Sequence, residues 1–185
     1  KIPRFDFAKF KQTNNRLNTQ MRSVGEVMAI GRTFKESLNK ALRGLENGYS
    51  GLNRPAVVDD LEEAVATATP ERIFYLAEAL RQGMGVAEAH QLSRIDPWFI
   101  AQIAELVALE QPLQADGIKH LDDAERLFAY KRAGFSDAFL AECCGVKEAE
   151  IRALREHYAI HPVYKRVDSC AAEFASATAY LYSTY

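Results

Sequence analysis

Four histidines and three cysteines are the residues best suited to hold a metal or act as nucleophiles, and their spacing argues against both uses. His90, His120, His157 and His161 are scattered along the chain. His157 and His161 are four apart, but Pro162 follows at once and opposes a helix that would present both rings on one face. Cys143 and Cys144 are adjacent, so a helix points their thiols apart, and Cys170 stands alone with no Cys-x-x-Cys or Cys/His spacing nearby. Buried, reduced thiols are expected, in a reducing, cytoplasmic setting. The acid pairs Asp59-Asp60, Glu62-Glu63 and Asp122-Asp123 stand where helices should begin, so they are expected to cap helices rather than to act as general acid/base pairs. Gly25 and Gly31 flank only a short apolar run, which is too little for a phosphate-cradling loop. These patterns assign no catalytic, cofactor-binding or metal-binding residue.

Ser136 to Tyr158 has helix-turn-helix spacing, with Ala141, a tight turn at Gly145-Val146 and Ile151 as the buried residue of the second helix. A free-standing DNA-binding regulator is therefore the alternative reading. Charge opposes it. The reading helix of such a motif would be Lys147–His157, which carries Lys147, Arg152 and Arg155 but also Glu148, Glu150 and Glu156. Residues 72–158 hold ten Lys/Arg against fourteen acids, a net of −4, where phosphate binding needs cationic surface. Residues 1–32, by contrast, hold seven against two, a net of +5. No nucleic-acid partner is expected.

The elements that carry these residues are mostly helical and partly duplicated. Sliding the sequence by fifty-one positions brings Gly83 onto Gly134, Leu76 onto Leu127, Ile95 onto Val146, Ile100 onto Ile151 and Ile103 onto Leu154. Each copy reads as helix, glycine stop, short helix, turn, second helix. In the first, Ile73, Leu76, Ala77 and Leu80 form a stripe, a short helix runs from about Val86 to Leu92, and Asp96-Pro97 opens a helix with Phe99, Ile103, Leu106 and Val107 inward. Trp98 is expected in the core. Gln111 to His120, with Pro112 and Gly117, is expected to be a linker. The second copy runs from about Leu121 to Tyr158, with Ser136 as an N-cap.

Outside the duplicated region, residues 1–10 alternate as a strand does. Ser23 and Glu26 have capping-box spacing and predict a short helix over Val27-Met28-Ala29-Ile30. Thr33 and Glu36 repeat that device before a helix through about Glu46, with Phe34, Leu38, Ala41, Leu42 and Leu45 on one face. The loop from Tyr49 to Asp60 contains an apolar triplet, Ala56-Val57-Val58, expected either to tuck onto the local core or to meet another chain. Val57, Val58 and Leu61 are the candidate oligomer contact. Asp59 or Asp60 should cap a short helix to about Thr67, and Thr69-Pro70 should open the next. Val163 to Asp168 and Ala179 to Tyr185 read as strands, with small polar residues from Ser169 to Ala177 between them. The fold class is mainly α, flanked by short α/β pieces.

A composition of 48% hydrophobic and 26% charged residues is that of an ordinary soluble globular protein, and no apolar run approaches the roughly 20 residues of a membrane span. No apolar segment follows the opening Lys1-Ile2-Pro3-Arg4, so no secretory signal is expected, and the lack of an initiator methionine points to a piece of something larger.

The two ends resemble a known family. Lys1-Ile2-Pro3-Arg4-Phe5-Asp6-Phe7-Ala8-Lys9-Phe10, the run Thr19 to Thr33, Glu36-Ser37-Leu38 and Lys40 to Glu46 are closely similar to the large chain of carbamoyl phosphate synthase, as are His161 to Phe174 and Tyr180 to Tyr185. The middle is looser, although Ile95-Asp96-Pro97-Trp98-Phe99 and Arg152-Ala153-Leu154-Arg155 also fit. Cys143-Cys144 departs from the aliphatic residues expected there. The resemblance implies a large chain with two homologous halves, each with an ATP-grasp module, the first making carboxyphosphate and then carbamate and the second phosphorylating carbamate. It implies that residues 1–32 are the tail of the first module, 33–160 a helical oligomerisation domain of two related helix-turn-helix-like units, and 161–185 the start of the second half. It further implies a carbon-nitrogen ligase that uses ATP, with Mg or Mn, for arginine and pyrimidine biosynthesis, working with a small glutaminase chain. The residues that bind ATP and metal lie outside this segment, which on its own is expected to be inactive and to make homo-oligomer contacts.

Overall fold

The computed structural model describes residues 1–7, 14–168, 173–174 and 180–185. The element order is β1 (Ile2–Phe5), β2 (Ser23–Val27), α1 (Phe34–Gly44), α2 (Leu61–Ala66), α3 (Arg72–Arg81), α4 (Val86–Ser93), α5 (Pro97–Asp116), a 3-10 turn (Gly117–Leu121), α6 (Ala124–Arg132), α7 (Asp137–Cys144), α8 (Glu148–His157), β3 (Val163–Val167) and β4 (Tyr180–Thr184). The chain is mainly α, as expected. β1 pairs antiparallel with β2, Ile2 opposite Val27, and β3 pairs antiparallel with β4, Val163 opposite Thr184. The segment expected to be small and polar after Asp168 lies largely outside the described residues, as do Ala8 to Phe10 of the expected first strand.

The duplication holds in three dimensions. A shift of fifty-one carries α4 onto α7 from end to end and the start of α5 onto the start of α8. Leu76 and Leu127 are both fully buried, and so are Ile100 and Ile151, so the same stripe faces the core in both copies. Gly83 and Gly134 end α3 and α6 at φ of 99° and 92°, a region that disfavours any residue with a Cβ. Arg94 and Gly145 then close α4 and α7 in the left-handed conformation.

Side-chain caps start the helices where the sequence placed them. Thr33 accepts from Glu36 N, Asp60 from Glu63 N, Asp96 from Trp98 N, Asp123 from Arg126 N and Ser136 from Phe139 N. The core is one cluster that includes Leu38 and Leu42 of α1, Leu76, Leu106, Leu127 and Ile151.

Three expectations fail, each for a tertiary reason. Ser23 to Val27 is a strand rather than the start of a helix, because β1 supplies a ladder that outweighs a local cap containing Gly25. The linker expected from Gln111 is the last turn and a half of α5. Pro112 sits inside that helix, with the fully buried Leu113 and the ion-paired Glu110 on either side holding the turn. Trp98 is 54% exposed and Phe99 42% exposed, so neither belongs to the core. They flank the buried stripe of α5 and pack edge-on against each other and against Phe34, with ring centroids 5.0 to 5.4 Å apart. Of the loop triplet, Val57 is wholly exposed and Ala56 faces solvent while Val58 is half-buried, so of the two alternatives the triplet as a whole does not take the one of tucking onto the core.

Candidate functional site

The histidines and cysteines have structural surroundings. His90 Nδ1 lies 2.7 Å from Ile95 O, across the turn between α4 and α5. The ring of His120 packs edge-on against Tyr130, and that of His157 against Tyr158. Cys143 and Cys144 are half-buried. Burial pushes their thiols up to about 12 and about 11, which leaves them as neutral thiols, poor both as nucleophiles and as metal ligands. Cys170 lies outside the described residues. Among the described residues no group of three or more His, Cys, Asp and Glu is arranged to hold a metal. Of the acid pairs, Asp60 and Asp123 cap α2 and α6, and Asp122 accepts from Tyr158 Oη at 2.7 Å. Gly31 packs against the first turn of α1 and Gly25 lies in β2, so neither forms a phosphate loop.

The candidate contact loop is built on anchors from both repeat units. Asn53 Oδ1 accepts from Ser50 N at 2.8 Å and Gly51 N at 3.0 Å, which closes the turn back onto its start. Its Nδ2 donates to Glu142 of α7 at 2.6 Å, and Ser136 Oγ donates to Ser50 O at 2.8 Å. Gly51 lies under the ring of Phe139, where an added Cβ would sit 2.8 Å from the ring. On the other side, Arg54 pairs with Glu78 of α3 at 3.0 Å, and Arg81 donates to Leu52 O. The loop therefore bridges α3 and α7 before it releases Val57 to solvent. Val58 is half-buried, and Leu61 at the start of α2 is half-buried and packs on the core. Of the three candidates, Val57 is the one fully presented.

Two buried charge groups set this frame. Arg81 bridges Glu110 through Nε (2.7 Å) and Nη2 (2.8 Å), both side chains being under a tenth exposed. Burial pulls the Arg81 guanidinium down, but the hydrogen bonds and charge of Glu110 and Glu78 outweigh it and hold it above its ordinary value. In the second unit, Lys131 Nζ donates to Phe135 O at 2.8 Å and Asp137 Oδ1 at 2.6 Å, while Arg155 Nε donates to Asp137 Oδ2 at 3.1 Å. Burial lowers the Lys131 ammonium. At Asp137 burial raises the carboxyl, but Lys131 and Arg155 outweigh it and hold the group below its ordinary value. α1 locks onto this unit: Asn39 Nδ2 donates to Ala133 O at 3.1 Å and Arg43 Nη1 to Gly134 O at 2.7 Å.

Sequence reading singled out the loop triplet as a candidate but named none of the residues that anchor the loop. The only local signal was Asn53 three residues after Ser50; the partners Glu78, Arg81, Glu142 and Phe139 lie 24 to 92 positions away. The helix-turn-helix geometry is present in α7 and α8. Its outward face, however, alternates in sign, with Glu148, Arg152 and Glu156 all exposed.

The family model for the carbamoyl-phosphate synthetase large chain, oligomerisation domain, matches residues 26–159, the span from the end of β2 to the end of α8. This chain belongs to the carbamoyl phosphate synthase large chain family. It is 58% identical, over its full length, to the carbamoyl phosphate synthase large chain of Xanthomonas campestris pv. campestris. It is 54% identical, again over its full length, to those of Vibrio cholerae serotype O1 and Halomonas eurihalina. In each case it spans 18% of the relative's length. The oligomerisation-domain match falls on the duplicated helical body and its α1–α2 lead-in, so the twice-used unit belongs to that domain rather than to a DNA-binding regulator. No helix among the described residues is long and apolar enough to cross a membrane.

Proposed function

We propose that this chain is the helical assembly and spacer segment of a carbamoyl phosphate synthase large chain, joining two catalytic halves of which it holds only the adjoining ends. The observation that carries the reading is the oligomerisation-domain match over residues 26–159. In this reading residues 1–32, with β1 and β2, are the tail of the first ATP-grasp module, 33–160 form the oligomerisation domain, and 161–185, with β3 and β4, open the second half. The whole large chain, with a small glutaminase chain, makes carbamoyl phosphate from bicarbonate, glutamine-derived ammonia and ATP in the cytoplasm, for arginine and pyrimidine biosynthesis. ATP and Mg or Mn bind in the flanking halves, and the 185-residue segment alone turns over no ATP.

Val57, Val58 and Leu61 are the contact between copies. Val57 is fully exposed between Asn53 and Arg54, which are tied to Glu142 and Glu78, and Asp60, which caps α2, so the segment is held on either side before it meets a partner and association costs little further chain entropy. The test is sedimentation of the full large chain carrying Val57→Glu or Val58→Glu. Val57→Glu replaces a side chain that touches nothing in the monomer, so the fold is retained and the sedimenting mass falls. An unchanged mass in both variants eliminates the patch, and bicarbonate-dependent phosphate release by the isolated 185-residue chain refutes the division of labour.

A further inference from the structure

We propose that Lys40 is a positioning residue that ties both flanking hairpins to a single turn of α1; this rests on the reading that the hairpins belong to the two catalytic halves. Lys40 Nζ donates to Ile30 O at 2.8 Å, three residues beyond the end of β2, and to Ser183 O within β4. It also pairs with Glu36 at 3.1 Å, one turn earlier on α1. Glu36 in turn accepts from Arg32 N at 2.7 Å. An ammonium has three hydrogens to donate; here two go to the carbonyls of Ile30 and Ser183, while Glu36 Oε1 faces the charge as an ion pair without a hydrogen bond.

The pair is deep enough for this to matter. The Glu36 side chain is 3% exposed and that of Lys40 17%. On the β4 side, Thr184 is buried and the ring of Tyr185 lies 5.2 Å from Lys131 Nζ, so the end of the second hairpin is seated rather than trailing. The ring of Tyr182 lies 5.8 Å from Lys40 Nζ itself. Ile30 and Ser183 are far apart in sequence, and Lys40 is the one side chain among the described residues that hydrogen-bonds both segments. Other groups on α1 hold the second repeat unit, as Asn39 and Arg43 do at Ala133 and Gly134, but they do not reach β2's exit. Movement of β4, or of the Ile30 segment that leads out of β2, against α1 must therefore break a bond to Lys40, the donor both share.

The experiment uses the full large chain with its small chain, as wild type, Lys40→Met and Lys40→Arg. Methionine keeps the apolar stem and removes all three donors; arginine keeps the charge and several donors. Amide exchange in Lys40→Met should quicken about tenfold or more both at Ile30–Arg32 and at Tyr182–Tyr185, the effect of losing one charge-assisted hydrogen bond at each, with α5 still protected. ATP consumed per carbamoyl phosphate formed should rise while bicarbonate-dependent ATP consumption persists, and Lys40→Arg should recover part of both effects. Exchange that quickens at one segment or neither overturns the proposal. So does an unchanged ATP ratio when both segments loosen. Loss of protection in α5 would mark Lys40 as a general stability residue, and overturns it as well. A wild-type large chain that makes no carbamoyl phosphate would sink the catalytic reading by itself, and the exchange pattern would still decide the tie.

Discussion

Gly83 and Gly134 form a matched pair supplied by the duplication, and substituting each by alanine separates backbone strain from helix docking. Both stand at φ near +90°, 99° and 92°, so either alanine incurs about 1–3 kcal/mol of backbone strain. Their surroundings differ. A Cβ at Gly83 meets nothing within 4 Å, whereas one at Gly134 sits 2.8 Å from Glu36 Cα and 3.1 Å from Glu36 O. Those neighbours are backbone of α1 and cannot rotate away. The helix has to move, at about 1–3 kcal/mol for overpacking. Moving it also weakens the bonds of Asn39 to Ala133 O and Arg43 to Gly134 O, each worth about 1 kcal/mol net. Gly134→Ala should therefore be about 2–4 kcal/mol more destabilising than Gly83→Ala. Urea unfolding of the 185-residue chain, with a common slope for both variants, measures the difference directly. In thermal unfolding it is a gap of roughly 5 °C or more for a chain of this size. Costs that agree within about 0.5 kcal/mol, the usual limit of additivity, would refute the docking of α1 on the second glycine stop.

Two further outcomes follow from the charge groups and the aromatic trio. Asp137 has its folded-state carboxyl held below its ordinary value by Lys131 and Arg155, so its contribution is present above about pH 4 and is lost as pH falls through the folded-state value. Asp137→Asn should cost about 3 kcal/mol or more at pH 7, because it leaves the buried Lys131 without a counter-charge; its gap to wild type should narrow in acid, and a gap constant from pH 7 to pH 3 would contradict the assignment. Trp98 is the one tryptophan and is more than half exposed, so emission from the 185-residue chain should be red-shifted and quenched by acrylamide; a blue, protected emission would mean its first turn of α5 is seated differently.

What was legible in the sequence was whatever depends on neighbours along the chain or on the fifty-one-residue period. Caps at Thr33, Asp60, Asp96 and Ser136 need only a side chain and an amide two or three residues on, and all four formed. The paired burial of Leu76 with Leu127 and of Ile100 with Ile151 follows from repeating a stripe. What was missed needs partners that no local pattern names. Ser23 and Glu26 look like a capping box, and only the presence of Ile2–Phe5 turns that stretch into a strand. Pro112 reads as a break until Glu110 is known to meet Arg81 from 29 positions away. The same limit applies to the candidate site. Val57 and Val58 can be picked out because apolar residues in a polar loop are locally odd. Their anchors could not be, since Asn53–Glu142 and Arg81–Leu52 exist only once two repeat units face each other. This also bears on why two units with the same helix order take different jobs. α4 and α7 match in length, but α5 has 20 residues against 10 in α8, and what is laid against the units differs too: α1 closes on Gly134 of the second unit, while nothing crowds Gly83 of the first. The duplicated body is thus a pair of like-ordered units distinguished further by residues 30–54, and both the exposed patch and the Lys40 tie sit in or beside that added layer.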